Sequence, residues 1–292
     1  MTILDEIKES FKEGSALTRL IYINLGLFLL IRIANVFYFL SGAEFPFVDW
    51  LALPADFGML ASRPWTLITY MFLHFDFLHI LFNLLWLYWM GQIFLGYFDQ
   101  GKLVTIYILG GISGGLFYVA GYNSFPVFSQ IVVDSRLLGA SASVIAIVTA
   151  LAIHAPNHTL HLMFIGPVKM KYIALFSVLM YVIGISSTNA GGNLAHLGGA
   201  FWGVASILLL RKGIDPGGKL NRMFYGLKKS FAPKPKVKIS YRKPPTDDIS
   251  YNRVKNQDKA RMNEILEKIS KSGYDSLSKE EKEILFRMGG NQ

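Results

Sequence analysis

The sequence predicts an all-α polytopic membrane protein, a bundle of six transmembrane helices with a small soluble helical tail. Three observations carry this. Hydrophobic residues make up 52% of the 292, and charged residues only 17%, against roughly 25% in soluble domains. The apolar residues gather into six runs, most of them long enough to cross a hydrocarbon core ~30 Å thick. The net charge of +9 is segregated, because residues 211–292 hold 20 Lys and Arg against 10 Asp and Glu. A basic tail beside a membrane domain points to the cytoplasm rather than to nucleic acid. No cysteine is present, which excludes disulfides, thiolate metal sites and a cysteine nucleophile.

Residues 1–18 are polar, mixed in charge, and read as a cytoplasmic N-terminal segment without the pattern of a cleaved signal peptide. The membrane domain is expected over residues 19–212. Its first span covers about 20–40, with Arg32 facing the bundle or snorkelling. Residues 41–73 scatter Phe45, Pro46, Trp50, Pro54, Phe57, Pro64 and Trp65 among charges, which predicts a loop lying in the membrane interface. The second span, about 77–98, is preceded by His74 and opens with His79 and Asn83, which are four apart and share one helical face. The third, about 103–120, carries Gly110, Gly111, Gly114 and Gly115, two overlaid GxxxG spacings that favour close helix approach.

A polar loop leads to the fourth span, about 136–153, which contains the small-residue run Leu138-Gly139-Ala140-Ser141-Ala142-Ser143. The following loop holds His154, His158 and His161. Pro156 interrupts any helix there and no carboxylate accompanies them, so neither a metal nor another cofactor is expected. The fifth span, about 172–185, is short. The sixth, about 189–210, contains His196 with Gly199 and Gly203 at contact spacing.

Six spans place both termini on one side. That side carries Lys8, Lys12, Arg19, Lys102, Lys169, Lys171 and the basic tail, and the other only Arg63 and Arg136. The positive-inside rule makes the first side cytoplasmic, in a cell (inner) membrane. Residues 213–256 read as a basic linker rich in Pro and Lys, and 257–292 as a helical hairpin. Gly273 ends its first helix, and Ser278 with Glu281 forms a capping box for its second, whose stripe is Ile284, Leu285 and Met288. The hairpin is either a docking unit for a cytoplasmic partner or a capped end.

The second, fourth and sixth spans all begin on the non-cytoplasmic side, and the polar residues lie near their starts. Ser141, about five residues into its span, and His196, about seven, fall on the order of 10 Å below that surface. Polar groups distant in sequence thus converge at one depth. Ser141 is then either a packing residue or a nucleophile, and His196 either a bundle-facing structural or relay histidine or the base that would take the serine proton. With no acidic residue nearby, the pair is a dyad rather than a triad. His79, Asn83 and a backbone N–H near Ser141 are candidate donors to an oxyanion.

His74-xxxx-His79-xxx-Asn83, Gly139-Ala140-Ser141-Ala142 and Ala195-His196-xx-Gly199 together resemble the motifs of rhomboid intramembrane serine proteases, in the family's order and on its spans. The resemblance covers about residues 18–212, and the tail is similar to those of some bacterial rhomboids, particularly from Bacteroidetes. It implies Ser141 and His196 as the catalytic dyad, and His79, Asn83, Gly139 and the Ser141 N–H on the oxyanion side, Gly139 keeping the approach open. His74, Ile145 and Gly199 are implied to be structural. Family members often carry an aromatic residue four positions after the serine, packed on the histidine; here that position is Ile145. Residues 41–73 are implied to be the membrane-embedded first loop, with Arg63 and Trp65 near where the family carries a Trp-Arg pair; the order here is Arg63-Pro64-Trp65, so no role is carried over.

The implied activity is a serine-type endopeptidase acting on single-span membrane proteins near the outer membrane face. Its partners are such substrates and membrane lipids. Two other readings stand beside it. One is a catalytically silent rhomboid-like protein that binds or routes membrane clients, which the departure at Ile145 supports. The other is a small transporter, which would carry internal repeats that the sequence lacks.

Overall fold

The computed structural model describes residues 2–163, 165–218 and 248–289. The contacts divide the chain into two compact units, one within residues 1–232 and one within 233–292.

The first unit opens with α1, Ile3–Glu13, under a capping box. The Thr2 hydroxyl accepts the Asp5 N–H, and the Asp5 carboxylate accepts the Thr2 N–H. The Thr2 hydroxyl also donates to the Asp5 carboxylate at 2.7 Å; this bond first, and the Thr2 N–H second, favour the ionised acid and hold the Asp5 carboxyl below its usual range. Leu4, Ile7 and Phe11 form an exposed apolar stripe, so a segment expected to be merely polar is an amphipathic helix. Arg19 donates to the Phe11 and Lys12 carbonyls at 3.0 and 2.8 Å, fastening α1 to the first turn of α2, Ala16–Leu40. Arg32 is exposed, so it points away from the bundle.

The expected interfacial loop is structured. It contains α3 (Phe47–Leu51), β1 (Leu53–Pro54), α4 (Phe57–Ser62) and α5 (Thr66–Thr69), then a 3-10 turn at Tyr70–Phe72. Trp50 and Trp65 stack at 6.0 Å, with the Arg63 guanidinium 5.0 Å from the Trp50 ring. Helix α6, Phe77–Leu95, follows, and then α7, Gln100–Ser124.

The fourth helix corrects the expected boundary. Residues Arg136–Leu137 form β2, paired antiparallel with β1, and helix α8 runs Ser141–His154. Ser141 is therefore the first helical residue, not the fifth or sixth. At ~1.5 Å per residue α8 spans only about 21 Å. The following loop forms a hairpin that the sequence reading lacked, β3 (Thr159–Leu162) with β4 (Gly166–Lys169). The architecture is thus helical with two small sheets rather than purely α. Helix α9, Met170–Gly184, and α10, Ala190–Arg211, complete the unit.

Helices α2, α6, α7 and α10 are long and apolar enough to cross a membrane, and α8 and α9 are shorter apolar helices. The chain is a multi-pass membrane protein. Glycines set how its central helices meet. A Cβ on Gly110 or Gly114 of α7 would strike Ala146 or Ala142 of α8, and one on Gly199 or Gly203 of α10 would strike the Ala142 or Ala146 carbonyl. Small residues let α7, α8 and α10 close on one another, which supplies the dispersion contacts that lipid cannot replace. Ser113 Oγ donates to the Gly198 carbonyl at 2.8 Å, and Thr149 Oγ1 to that of Ala200 at 3.2 Å.

The second unit pairs α11, Asp248–Ser272, with α12, Lys279–Gly289. Gly273 at φ 75° follows the end of α11, a conformation glycine adopts without strain. Ser278 and Glu281 cap α12 reciprocally, at 2.7 and 3.2 Å. The Lys268 ammonium and these cap bonds keep the Glu281 carboxyl below its usual range. Among the described residues of this unit, Ile265 and Leu277 are buried apolar side chains. Most of the expected linker 213–256, and the Met288 side chain, lie outside the described residues.

Candidate active site

Two strained or small elements deliver Ser141. The β1–β2 pair (Leu53↔Leu137, Pro54↔Arg136) ties the preceding segment to the first loop, and Asp49 holds Arg136 by an ion pair at 3.0 Å. The chain then turns through Gly139 at φ 116°, a region that L side chains rarely adopt. A Cβ there would also stand 2.7 Å from His79 Cε1 and 2.8 Å from His79 Nε2. Conformation and crowding both demand glycine.

The two N–H groups before Ser141 are already bonded. Gly139 donates to the Tyr70 carbonyl at 2.9 Å, and Ala140 donates to His74 Nε2 at 3.2 Å. The Gly139 N–H is therefore already engaged, and what this residue offers the site is space. His74, fully buried, accepts through Nε2, so it is the neutral imidazole and anchors the turn. Helix α8 then starts at Ser141 with Ala140 as its cap residue and no side chain capping the first turn. The N–H groups of that turn are left for another acceptor, at the positive end of the helix dipole.

The structure brings Ser141 and His196 together. Ser141 Oγ lies 2.6 Å from His196 Nε2. The approach of α10 depends on Gly199, which meets the Ala142 carbonyl one residue past the serine. His196 Nδ1 has no hydrogen-bond partner among the described residues, so the Oγ–H···Nε2 bond stands without a carboxylate behind it. His79 and Asn83 share the inner face of α6. Asn83 Nδ2 donates to the His79 carbonyl at 2.8 Å, which leaves its second N–H for a ligand.

These groups line one cavity of about 850 Å³, walled by α6 through His79 and Asn83, α7 through Tyr118, α8 through Ser141, α9 through Tyr181, and α10 through His196. Ser143 is excluded from it. Its side chain is buried on the opposite side of α8, with Oγ 3.8 Å from the Met71 sulfur. Ile145 is buried at the α8–α10 contact, its Cγ2 2.9 Å from where a Cβ of Gly199 would stand. The sequence reading missed Tyr181, whose ring centroid is 4.3 Å from that of His196, at an interplanar angle of 53°. A tyrosine in an apolar run carries no local signal of such a role. His154 and His158 lie at the other end of α8, against Phe98 and Tyr97, with Tyr97 Oη 3.0 Å from His158 Nδ1.

Comparison with known proteins identifies the family. The Rhomboid domain family matches residues 61–213, and a family of unknown function matches residues 246–289. The chain is 30% identical over 203 residues to RHOMBOID-like protein 12, mitochondrial, of Arabidopsis thaliana, which covers 66% of this chain and 58% of that protein. It is 38% identical over 79 residues to Rhomboid protease GlpG of Salmonella newport (strain SL254), covering 27% of this chain and 28% of the relative. GlpG of Salmonella heidelberg (strain SL476) matches to the same extent. The chain therefore spans less than two thirds of these relatives' own length. The Rhomboid domain match takes in Ser141, His196, His79 and Asn83, and covers more than half of the chain. The chain belongs to the rhomboid family.

Proposed function

We propose that this protein is an intramembrane serine endopeptidase that hydrolyses single-span membrane proteins with a Ser141–His196 dyad. The observation that carries this reading is the 2.6 Å contact between Ser141 Oγ and His196 Nε2, inside a cavity lined by further hydrogen-bond donors.

The steps follow from the groups present. Ser141 Oγ attacks the scissile carbonyl while its proton passes to His196 Nε2. Negative charge develops on the carbonyl oxygen and is met by the N–H of Ser141 at the start of α8, with His79 and the free N–H of Asn83 as side-chain donors. His196 returns the proton to the leaving amine. A water molecule then repeats the sequence on the acyl-enzyme, with His196 again the base. A helical substrate has its backbone carbonyls hydrogen-bonded, so the segment at the site must unwind before Ser141 can reach it. That requirement favours substrates with helix-breaking residues near the cleavage point.

In this reading α2, α6, α7, α8, α9 and α10 are six spans, with both termini in the cytoplasm of a cell whose inner membrane holds the protein. The membrane domain covers 19–212; the last residues of the expected linker 213–256 already belong to α11, so the hairpin begins at Asp248 rather than at 257. The short α8 supports a recessed site, because a helix of about 21 Å within ~30 Å of hydrocarbon leaves its Ser141 end below the surface, with the segment 136–140 completing the crossing. The competing reading, a silent client-binding protein, draws only on Ile145.

Treating the purified, detergent-solubilised protein with a fluorophosphonate probe and mapping the adduct separates the two. The dyad predicts labelling at Ser141 that disappears in His196→Ala. Folded protein that resists labelling would favour the silent reading.

A further inference from the structure

We propose that Tyr181 is the positioning residue for His196, its ring fixing the imidazole plane and stabilising the imidazolium that forms when His196 takes the Ser141 proton. The inference rests on the reading of Ser141 and His196 as a dyad.

A base with one nitrogen engaged needs something else to hold its plane and to balance the charge it acquires. A carboxylate on the second nitrogen is the usual device. Here Nδ1 has no hydrogen-bond partner among the described residues, and no Asp or Glu is among the cavity's lining residues. The ring contact is what remains. The Tyr181 and His196 centroids are 4.3 Å apart, inside the roughly 6 Å at which an aromatic face attracts a cation.

The contact is built in, because the two helices are clamped beside it. Asn193 Nδ2 donates to the Gly184 carbonyl at 2.7 Å. Asn193 is three residues before His196 on α10, and Gly184 three residues after Tyr181 on α9, so one bond sets the register of both. A Cβ on Gly184 would meet Asn193 Nδ2 at 2.5 Å, so this close approach depends on glycine. Ile145, one turn after Ser141 on α8, lines the same cavity but supplies no ring. The ring therefore comes from a different helix than the nucleophile does.

The test uses the full chain in detergent and the rate of Ser141 phosphonylation by a fluorophosphonate, resolved into KI and kinact. In that step Oγ bonds to phosphorus, fluoride leaves, and His196 takes the proton. Tyr181→Leu is expected to lower kinact roughly tenfold with KI within about twofold, and Tyr181→Phe to recover most of the loss. Adding Ile145→Phe to Tyr181→Leu is expected to restore part of kinact by supplying a ring from α8.

Phenylalanines of increasing fluorine substitution at position 181 keep the shape and withdraw π density. A kinact that falls along this series supports the proposal, and it decides the matter should Tyr181→Leu misfold. A flat series, an unchanged kinact in folded Tyr181→Leu, or an effect on KI alone would overturn it, leaving Tyr181 as a cavity wall. Wild-type protein with no Ser141-dependent labelling defeats the dyad itself, an outcome distinct from the others.

Discussion

Helices α8 and α9 are the two shortest apolar helices of the bundle and are packed in opposite ways. Ala142 to Ala152 of α8 are buried without a break, whereas α9 buries Met170, Ile173 and Ala174 near its start and exposes Leu175, Phe176, Leu179, Val182 and Ile183. Both are almost wholly apolar in sequence. The difference lies in their neighbours. α8 is held on two sides by glycine-bearing helices that approach to backbone contact, and α9 has one flank toward α8 and α10 and the rest facing outward. The proposed nucleophile is thus carried on the most enclosed of these helices, and the aromatic contact to the proposed base on one of the least enclosed.

Four substitutions test that contrast, in decreasing order of expected effect. Ser141→Ala should lower hydrolysis of a fluorogenic single-span reporter by about 10⁴-fold or more while leaving thermal unfolding in detergent unchanged. A matching loss of stability would mean that the serine holds α8 in place. Asn83→Ala should cost roughly 10²-fold in kcat, because Ser141 N–H and His79 remain. An undiminished rate would remove Asn83 from the oxyanion donors.

Gly203→Leu drives a side chain into the Ala146 carbonyl and Thr149 Oγ1. Overpacking against backbone should destabilise by about 3 kcal/mol, seen as a clear fall in Tm. Wild-type Tm would show that α8 is less enclosed than it looks. Leu179→Ala on α9 removes a side chain that is 52% exposed. Its effect should be within about 0.5 kcal/mol, and a loss comparable to that of Gly203→Leu would erase the contrast.

The site was legible in the sequence to the extent that it consists of polar groups in apolar spans. Ser141, His196, His79 and Asn83 stand out because such residues are costly in a membrane unless used or paired, and the glycine spacings announce which helices approach. What was not legible depends on contacts made across the chain. β2 is two residues whose strand geometry exists only because Leu53 and Pro54 lie opposite, so the fourth helix looked longer than it is. The N–H of Gly139 is lost to the carbonyl of Tyr70, sixty-nine positions earlier. Tyr181 is one aromatic residue among many. By contrast α1 could have been seen, since Leu4, Ile7 and Phe11 have helical spacing behind a Thr2–Asp5 capping box. Its dense mixed charges masked the stripe.

The cavity beside Ser141 also sets a stoichiometry. Its 850 Å³ is room for many waters at once. Peptide hydrolysis consumes one of them, and only after the acyl group is in place. The portion of substrate retained on Ser141 therefore competes for room with the second reactant. On the proposed mechanism, a bulkier retained portion would leave a smaller reservoir beside His196, and the acyl-enzyme is expected to last longer.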